Sequence, residues 1–490
     1  MTFNRRQLCK GVIAATASSI FSGCATLPLA KTSDTAQNNS QNSIHDWQRA
    51  DEIRKNTIVP TFPAKRFVLT DYQPENQSND YTQAFADAIS ACHQQGGGKV
   101  IVPPGVYPTG PVHLLSNVNL VIEKGADVQF IPEPERYLPA VFTRWEGMEL
   151  MGYSPLIYAY KQTNIAITGE GTLSGGADNQ TWWPWKGPHK EKHWELVPGE
   201  DQKPARQKLM QDVEDGVPVA QRQYADGAFL RPPFIQPYDC QNVLVQGVTI
   251  KDSPFWLLNP VLCKNVTVNK VKFLSHGPNN DGCNPESCDH VVIENCIFDT
   301  GDDCIAIKSG RNNDGRRLNT PCQNLVIANC NMKEGHGGVV VGSEISGGVN
   351  HLYVENCVMD SPHLERAIRI KTNSVRGGKL EHFRYRNITV GRAKTAVVIN
   401  FYYEEGDAGK FDPTVRDVVI EDLVCRDILV RPFNIQGFER KPIYDLTLKN
   451  CHFLNESPKS SIVRNINQFE LHNVSIAGKT IDAAQLISNS

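Results

Sequence analysis

From Cys240 onward the chain repeats one eleven-residue pattern eight times, and no other feature narrows its fold as much. The units are CQNVLVQGVTI from Cys240, CKNVTVNKVKF from Cys263, CDHVVIENCIF from Cys288, CQNLVIANCNM from Cys322, VNHLYVENCVM from Val349, LEHFRYRNITV from Leu380, VRDVVIEDLVC from Val415 and IYDLTLKNCHF from Ile443. Their starts lie 23 to 35 residues apart, and each unit is apolar at its first, fourth, sixth, ninth and eleventh residues. That alternation marks a strand with one buried face, a bend, and a second short strand. The fourth residues run Val243, Val266, Val291, Leu325, Leu352, Phe383, Val418, Leu446; the ninth run Val248, Val271, Cys296, Cys330, Cys357, Ile388, Leu423, Cys451. Residues alike in every unit stack one coil above the next. The fold expected is therefore all-β, a single-stranded right-handed parallel β-helix in which each coil pairs only with its neighbours.

The columns also account for most of the cysteines. Nine of the fourteen fall on apolar positions: Cys240, Cys263, Cys288 and Cys322 at the first, Cys296, Cys330, Cys357 and Cys451 at the ninth, and Cys425 at the eleventh. They follow the strand period rather than a converging ligand geometry, so small buried apolar residues are expected there and no metal site. Cys283 and Cys304 lie off the columns. A bridge from Cys304 to Cys322, closing the insertion SGRNNDGRRLNTP, is compatible with an exported chain, and the sequence leaves the pairing open.

Ahead of the repeat, NDYTQAFADAISACHQQGGGK reads as an amphipathic helix with Asp80 as N-cap and Ala84, Ala88, Ile89 and Cys92 on its apolar face. Such a helix covers the open first coil of a solenoid. Strand patterns follow it, another appears from Thr163, and residues 61–490 are expected to form one β-helix domain. A stretch at about 175–232, containing TWWPWKGPHK, has no repeat period and reads as a long loop insertion over one face. Trp182, Trp183 and Trp185 fit either packing of that loop or contact with a ligand.

The first 23 residues have a basic start, an apolar run from Gly11 to Phe21 and small residues before Cys24. That run is too short to span a bilayer and reads as an export signal. NRRQLCK resembles a twin-arginine motif and FSGC a bacterial lipobox with Cys24 as the lipidated residue. The expectation is an exported bacterial protein, periplasmic or held at a membrane solely by that N-terminal lipid, with residues 24–60 as polar tether and lead-in. Loss of residues 1–23 takes the formal net charge from −3 to −6. No basic patch argues for nucleic acid.

The chemistry falls between the units. The segment after each eleventh residue differs from coil to coil and supplies Trp256, then Asn279 to Gly282, then Asp302 and Asp303, then His336, then Arg369 and Lys371, then Tyr402 and Tyr403. Coils are spaced by roughly 4.8 Å, so these residues gather in one groove. Three carboxylates, a histidine, two cations and aromatic rings suit hydrolysis of an acidic polysaccharide. An inverting glycosidase needs one protonated carboxyl and one ionised carboxylate about 6.5–9.5 Å apart, and crowding carboxylates keeps one protonated. Arg369 and Lys371, two apart on a strand, share a face and can pair with a sugar carboxylate.

NND, GDDC, GHG and RIK, in this order, resemble the signature blocks of the family 28 glycoside hydrolases, the polygalacturonases, whose fold is the pectin-lyase-like solenoid. The similarity runs from about residue 65 to the C-terminus, and the chain resembles bacterial exo-acting members. It implies inverting hydrolysis of α-1,4-linked galacturonate in pectin or polygalacturonate, without a cofactor or metal. Asp302 would be the general acid, Asp281 and Asp303 would activate water, and His336 would orient or tune the acid. Asn279, Trp256, Arg369, Lys371 and a tyrosine of the 402–403 pair would hold substrate. Asn280 departs from the family, which usually has Thr there. Competing expectations are an endo-polygalacturonase, a hydrolase of another pectic backbone such as rhamnogalacturonan, a calcium-dependent pectate lyase and a non-catalytic polysaccharide-binding solenoid. Exo action is favoured, with one or two units per cut and the oligomeric state left open.

Overall fold

The computed structural model describes residues 47–73, 79–188 and 194–488. The export signal, Cys24 and the tether up to residue 46 lie outside the described residues. Within them the repeat forms a right-handed parallel β-helix. The fourth-residue column pairs in register from Ile165 through Val243, Val266, Val291, Leu325, Leu352, Phe383, Val418 and Leu446 to Phe469. The eleventh-residue column runs from Ile250 through Phe273, Phe298, Met332, Met359, Val390 and Cys425 to Phe453. A third set of parallel strands, among them Ile305–Ile307, Val339–Val341 and Arg366–Lys371, carries the segments that vary from coil to coil. Toward the C-terminus Lys379–Asn400 and Thr414–Gln436 run through all three faces as unbroken strands.

Each coil turns through left-handed backbone at the third and eighth residues of its unit. The third residues Asn242, Asn265, His290, Asn324, His351, His382, Asp417 and Asp445 have φ between 53° and 63°, and the eighth-position residues Asn295, Asn329, Asn356, Asn387 and Asn450 have φ between 51° and 58°. Asn, Asp and His tolerate this region far better than β-branched residues do. Some of their side chains also bond along the axis: Asn242 donates to Asn164 and Asn265 to Asn242, each at 2.8 Å.

The first coil is capped by the helix Thr82–Gln94, whose buried face holds Ala84, Phe85, Ala88, Ile89 and Cys92. Its N-cap is Tyr81, not Asp80; the Asp80 carboxylate works from one residue upstream, accepting from Thr82 N at 2.9 Å. Within the lead-in, residues 47–56 are helical. Trp47, Ala50 and Ile53 pack on Val326 and Tyr353, and Arg54 pairs with Glu294 and Glu355, so this end of the lead-in is docked on the outer face of the first sheet.

The twelve described cysteines are free and buried. The Cys304–Cys322 bridge that the sequence left open is not formed. Cys304 Sγ sits against the Glu334 carbonyl at 3.3 Å, whereas Cys322 belongs to the first-residue column and faces the Pro285 carbonyl at 3.6 Å. The 175–232 insertion contains a 3-10 turn, Trp183–Lys186, and a helix, Gln202–Glu214, started by Asp201, which accepts from Lys203 N at 2.7 Å. Trp182 and Trp185 pack edge to face at 4.9 Å beside Tyr153, and Trp183 Nε1 donates to the Ser253 carbonyl at 2.9 Å. These three rings therefore fasten the insertion to the solenoid.

Phe298 stacks on Phe273 with centroids 4.7 Å apart, and both rings are fully buried. Phe298→Ala is expected to cost about 3–5 kcal/mol, read as a large drop in Tm. A drop no greater than that of the exposed Val358→Ala would contradict the column as the stabilising core.

Candidate active site

Main-chain hydrogen bonds between consecutive coils bring the variable segments side by side. Leu257 N donates to the Asp281 carbonyl at 2.9 Å, Gly282 N to that of Asp303 at 3.0 Å, Cys304 N to that of Gly337 at 2.7 Å, and Gly338 N to that of Arg366 at 2.8 Å. Residues from six successive coils, the last joined through the pairing of Lys371 with Asn400, thus share one pocket of about 250 Å³. It is lined by Trp256, Asn279, Asp281, Asp302, Asp303, His336, Arg369, Lys371 and Tyr403, all expected from the sequence. Tyr402 is the exception: it is exposed against Phe438 and lies outside the pocket lining.

The three carboxylates have different surroundings. Asp303 has a side chain 1% exposed, bound by Lys371 Nζ at 2.7 Å and Arg369 Nη1 at 3.4 Å. Asp281 is 4% exposed, accepts from Asn284 Nδ2 at 2.9 Å and has Lys308 Nζ at 3.7 Å. Asp302, at 17%, is the most open of the three, with His336 Nδ1 at 3.0 Å on one oxygen and Asp303 N at 3.0 Å on the same one. Burial, and then the neighbouring Asp302 charge, push the Asp281 carboxyl well above the ordinary carboxylate range, with Lys308 opposing. Burial alone would raise Asp302 too, but the His336 ring and Lys371 outweigh it and hold that carboxyl well down. Asp302 in turn raises the His336 imidazole, against its own burial. Two neighbouring acids are thus pushed in opposite directions, Asp281 up and Asp302 down.

The turns that present these groups are fixed by small residues and one amide. Asn280 is fully buried and bonds four ways: Oδ1 accepts from Ser275 Oγ at 2.6 Å and Gly277 N at 2.7 Å, and Nδ2 donates to the Ser253 and Phe255 carbonyls at 3.0 Å. It holds the turn between Asn279 and Asp281 without facing the pocket. A side chain at Gly337 would meet Val340 at 2.3 Å and the Asp303 carboxylate at 3.0 Å, which accounts for the glycine after His336. Asn279 has left-handed backbone, φ 55°, and accepts from Arg231 Nη2 at 2.8 Å. Arg231, fully buried, also donates to the Pro254 and Pro278 carbonyls, tying the end of the insertion to two coils of the site.

Sequence reasoning missed the outer wall. Lys308 lies over the Trp256 ring at 4.6 Å and pairs with Glu344 at 2.9 Å; although burial opposes its charge, Glu344 and Asp281 hold the ammonium above the usual lysine value. Arg311 bridges Glu146 at 2.6 Å and Glu404 at 3.2 Å, and Arg206 binds Glu146 at 2.7 Å. Burial opposes the Glu146 charge, but Arg206 and Arg311 bring it down to about 2. Lys186 and Arg366 complete the cations of the lining. Lys308 was readable, since it follows Ala306 by two on a strand whose inward residues are Ile305 and Ile307. Glu146, Lys186 and Arg206 come from segments without repeat period and left no signal. Among the described residues, His276, Asp299 and Glu334 gather with candidate ligand atoms within 4.8 Å, but none of them lines the pocket.

Paired carboxyls set into a groove on a β-helix suit the cleavage of glycosidic bonds. Comparison supplies the family. The sequence model of glycosyl hydrolases family 28 matches residues 222–476. The crystal structure of a hyperthermoactive exopolygalacturonase from Thermotoga maritima has a TM-score of 0.82 at 38% identity, covering 89% of this chain and 97% of that one. A probable polygalacturonase of Vitis vinifera is 26% identical over 75% of this chain and 70% of its own length, and an exo-poly-alpha-D-galacturonosidase of Dickeya chrysanthemi is 25% identical over 75% and 64%. The chain belongs to glycosyl hydrolases family 28 and is a glycosidase.

Because the His336 imidazolium is favoured by Asp302, its stabilising contribution is present below the ordinary histidine value of about 6.5 and is lost as pH rises through its raised folded value. NMR titration should place His336 above about 6.5. In Asp302→Asn the largest raising influence is gone and burial remains, so His336 should titrate lower than in the wild type. An unchanged titration would separate the two side chains electrostatically.

Proposed function

We propose that the protein hydrolyses α-1,4-galacturonosyl linkages of pectin or polygalacturonate by a single inverting displacement, removing units from the non-reducing end. The observation that carries this reading is the gathering of three aspartates, the most open of them bonded to His336, in one cation-lined pocket. Asp302, the most open carboxyl, faces the scissile oxygen and protonates it as the C–O bond breaks. Asp281 and Asp303 take the proton of a water that attacks the anomeric carbon from the opposite face. His336 shares a proton with Asp302 and so keeps the acid supplied. Arg369 and Lys371, with Tyr403 within 5.3 Å and 5.2 Å of them, offer a cationic and aromatic surface to a uronate beside the cut. Asn279 and Trp256 line the same site from the preceding coils.

Exo action is supported by the walls. Glu146, Lys186, Arg206 and Arg311 come from outside the repeat and surround the carboxylates on sides that a bare solenoid groove leaves open. The likeness to an exopolygalacturonase at 38% identity agrees. The resemblance of residues 1–23 to an export signal and of FSGC to a lipobox at Cys24 supports a place outside the cytoplasm, tethered by the N-terminus.

One observation favours a second assignment of roles: the raised Asp281 carboxyl has the property of an acid. An activated leaving group separates the two. Asp302→Asn should lower kcat on polygalacturonate by about 10²–10⁴-fold yet retain most turnover of α-galacturonosyl fluoride, which needs no protonation. Asp281→Asn should lose both. Rescue of Asp281→Asn instead would exchange the roles, and a steep early fall in polygalacturonate viscosity would refute exo action.

A further inference from the structure

The pocket is lined by seven cationic side chains, and six of them have an anionic partner. Arg206 and Arg311 pair with Glu146, Lys308 with Glu344, Arg366 with Glu365, and Arg369 and Lys371 with Asp303. Lys186 is the exception: among the described residues no hydrogen bond or ion pair is made by its ammonium. It closes the 3-10 turn Trp183–Lys186, which is fastened to the solenoid by Trp182, Trp183 and Trp185, so the cation is delivered on a rigid support.

Its place along the groove follows from the turn that carries it: Trp183 Nε1 donates to the Ser253 carbonyl at 2.9 Å, and a side chain at Gly277 would meet the Trp183 ring at 2.2 Å, so the turn sits over the coils of Trp256 and Asn279. Lys371 instead pairs with Asp303 at 2.7 Å and lies 5.2 Å from the Tyr403 ring. Arg231 is bonded to the coils of Pro254 and Asn279. Lys186 therefore stands at the end of the carboxylate row nearer Trp256 and Asn279, and Lys371 at the end nearer Tyr403. The Lys186 end is also the end built up by the insertion. Burial, with Arg231 adding to it, holds the Lys186 ammonium below the usual lysine value. A half-buried cation in that condition is relieved by any anion that settles beside it.

We propose that Lys186 is the receptor for the carboxylate of the terminal uronate, the unit that fills the closed end of the pocket, while the Arg369–Lys371 pair serves the uronate on the leaving side. This rests on the exo-galacturonan reading given above. Two cationic stations on either side of the cut select a chain with a carboxylate on both neighbouring sugars. A backbone that alternates a uronate with a neutral sugar leaves one station empty in every register.

The test compares Lys186→Gln, Lys186→Arg and Arg369→Gln with wild type on digalacturonate and on 4-nitrophenyl α-galacturonide, whose single carboxylate belongs to the terminal unit. The aryl glycoside is read by its KM if cleaved, or by its inhibition constant against digalacturonate if not. Loss of one charged hydrogen bond predicts that Lys186→Gln weakens both compounds about ten- to hundred-fold, with kcat changed far less and Lys186→Arg restoring most of the loss. Arg369→Gln should weaken digalacturonate alone. Weakening of digalacturonate but not the aryl glycoside by Lys186→Gln would put Lys186 on the leaving side and overturn the assignment, and unchanged constants for both would remove it from binding. Wild-type enzyme that neither cleaves nor binds either compound would instead overturn the galacturonan reading itself, whatever the variants do.

Discussion

Everything in this molecule hangs on parallel main-chain hydrogen bonding between one coil and the next in strict register. Because Val266 is held over Val291 and Phe273 over Phe298, a residue's surroundings are set by its counterparts one coil above and below. The core is then a set of columns instead of a single cluster, and each column demands like side chains. The same hydrogen bonds set the site. Asp281, Asp303 and Gly337 are distant in sequence, and their carbonyls are consecutive rungs of one ladder. A one-residue slip would turn Arg369 and Lys371 into the core and Ile368 and Ile370 out of it.

That constraint explains which parts were legible in the sequence. The columns repeat, so the strands, the buried cysteines and the gathering of Asp281, Asp302, Asp303, His336, Arg369 and Lys371 could be read by writing the units in line. The left-handed corners have their own sequence signal, columns of Asn, Asp and His at the third and eighth residues, but the apolar alternation marked them only as a bend. What escaped came from segments that do not repeat. Glu146 meets Arg311 across 165 residues, and nothing local marks either as a partner. The choice between Tyr402 and Tyr403 was hidden for another reason: the strand Lys379–Asn400 ends just before them, and alternation stops with it.

The pocket is unusual in how much charge it buries. Ion pairs out of water gain little over apolar packing and are costly to leave incomplete, so their presence calls for a reason beyond stability. A uronate ligand supplies one. Anionic sugars are strongly hydrated, and a pocket that replaces that water with cations already fixed by Glu146, Glu344 and Asp303 needs little reorganisation when the ligand arrives. Lys371, already paired with Asp303, also helps to hold the Asp302 carboxyl down. His336 adds an imidazole placed directly on the most accessible carboxyl, whose charge raises it above its ordinary value.

The buried thiols carry a consequence for the order of events in the protein's life. The twelve cysteines that the fold buries would, in an unfolded chain, form a dense set of mispairing sites wherever oxidants are active. Once the coils close, burial pushes thiols such as Cys283, Cys322 and Cys425 far above their usual range, and with neither thiolate nor access they become inert. Such a core gains its protection only on folding, so the thiols are most open to oxidation before the coils close. It also makes the closed solenoid its own antioxidant, protected by geometry with no bridge to reduce or reshuffle.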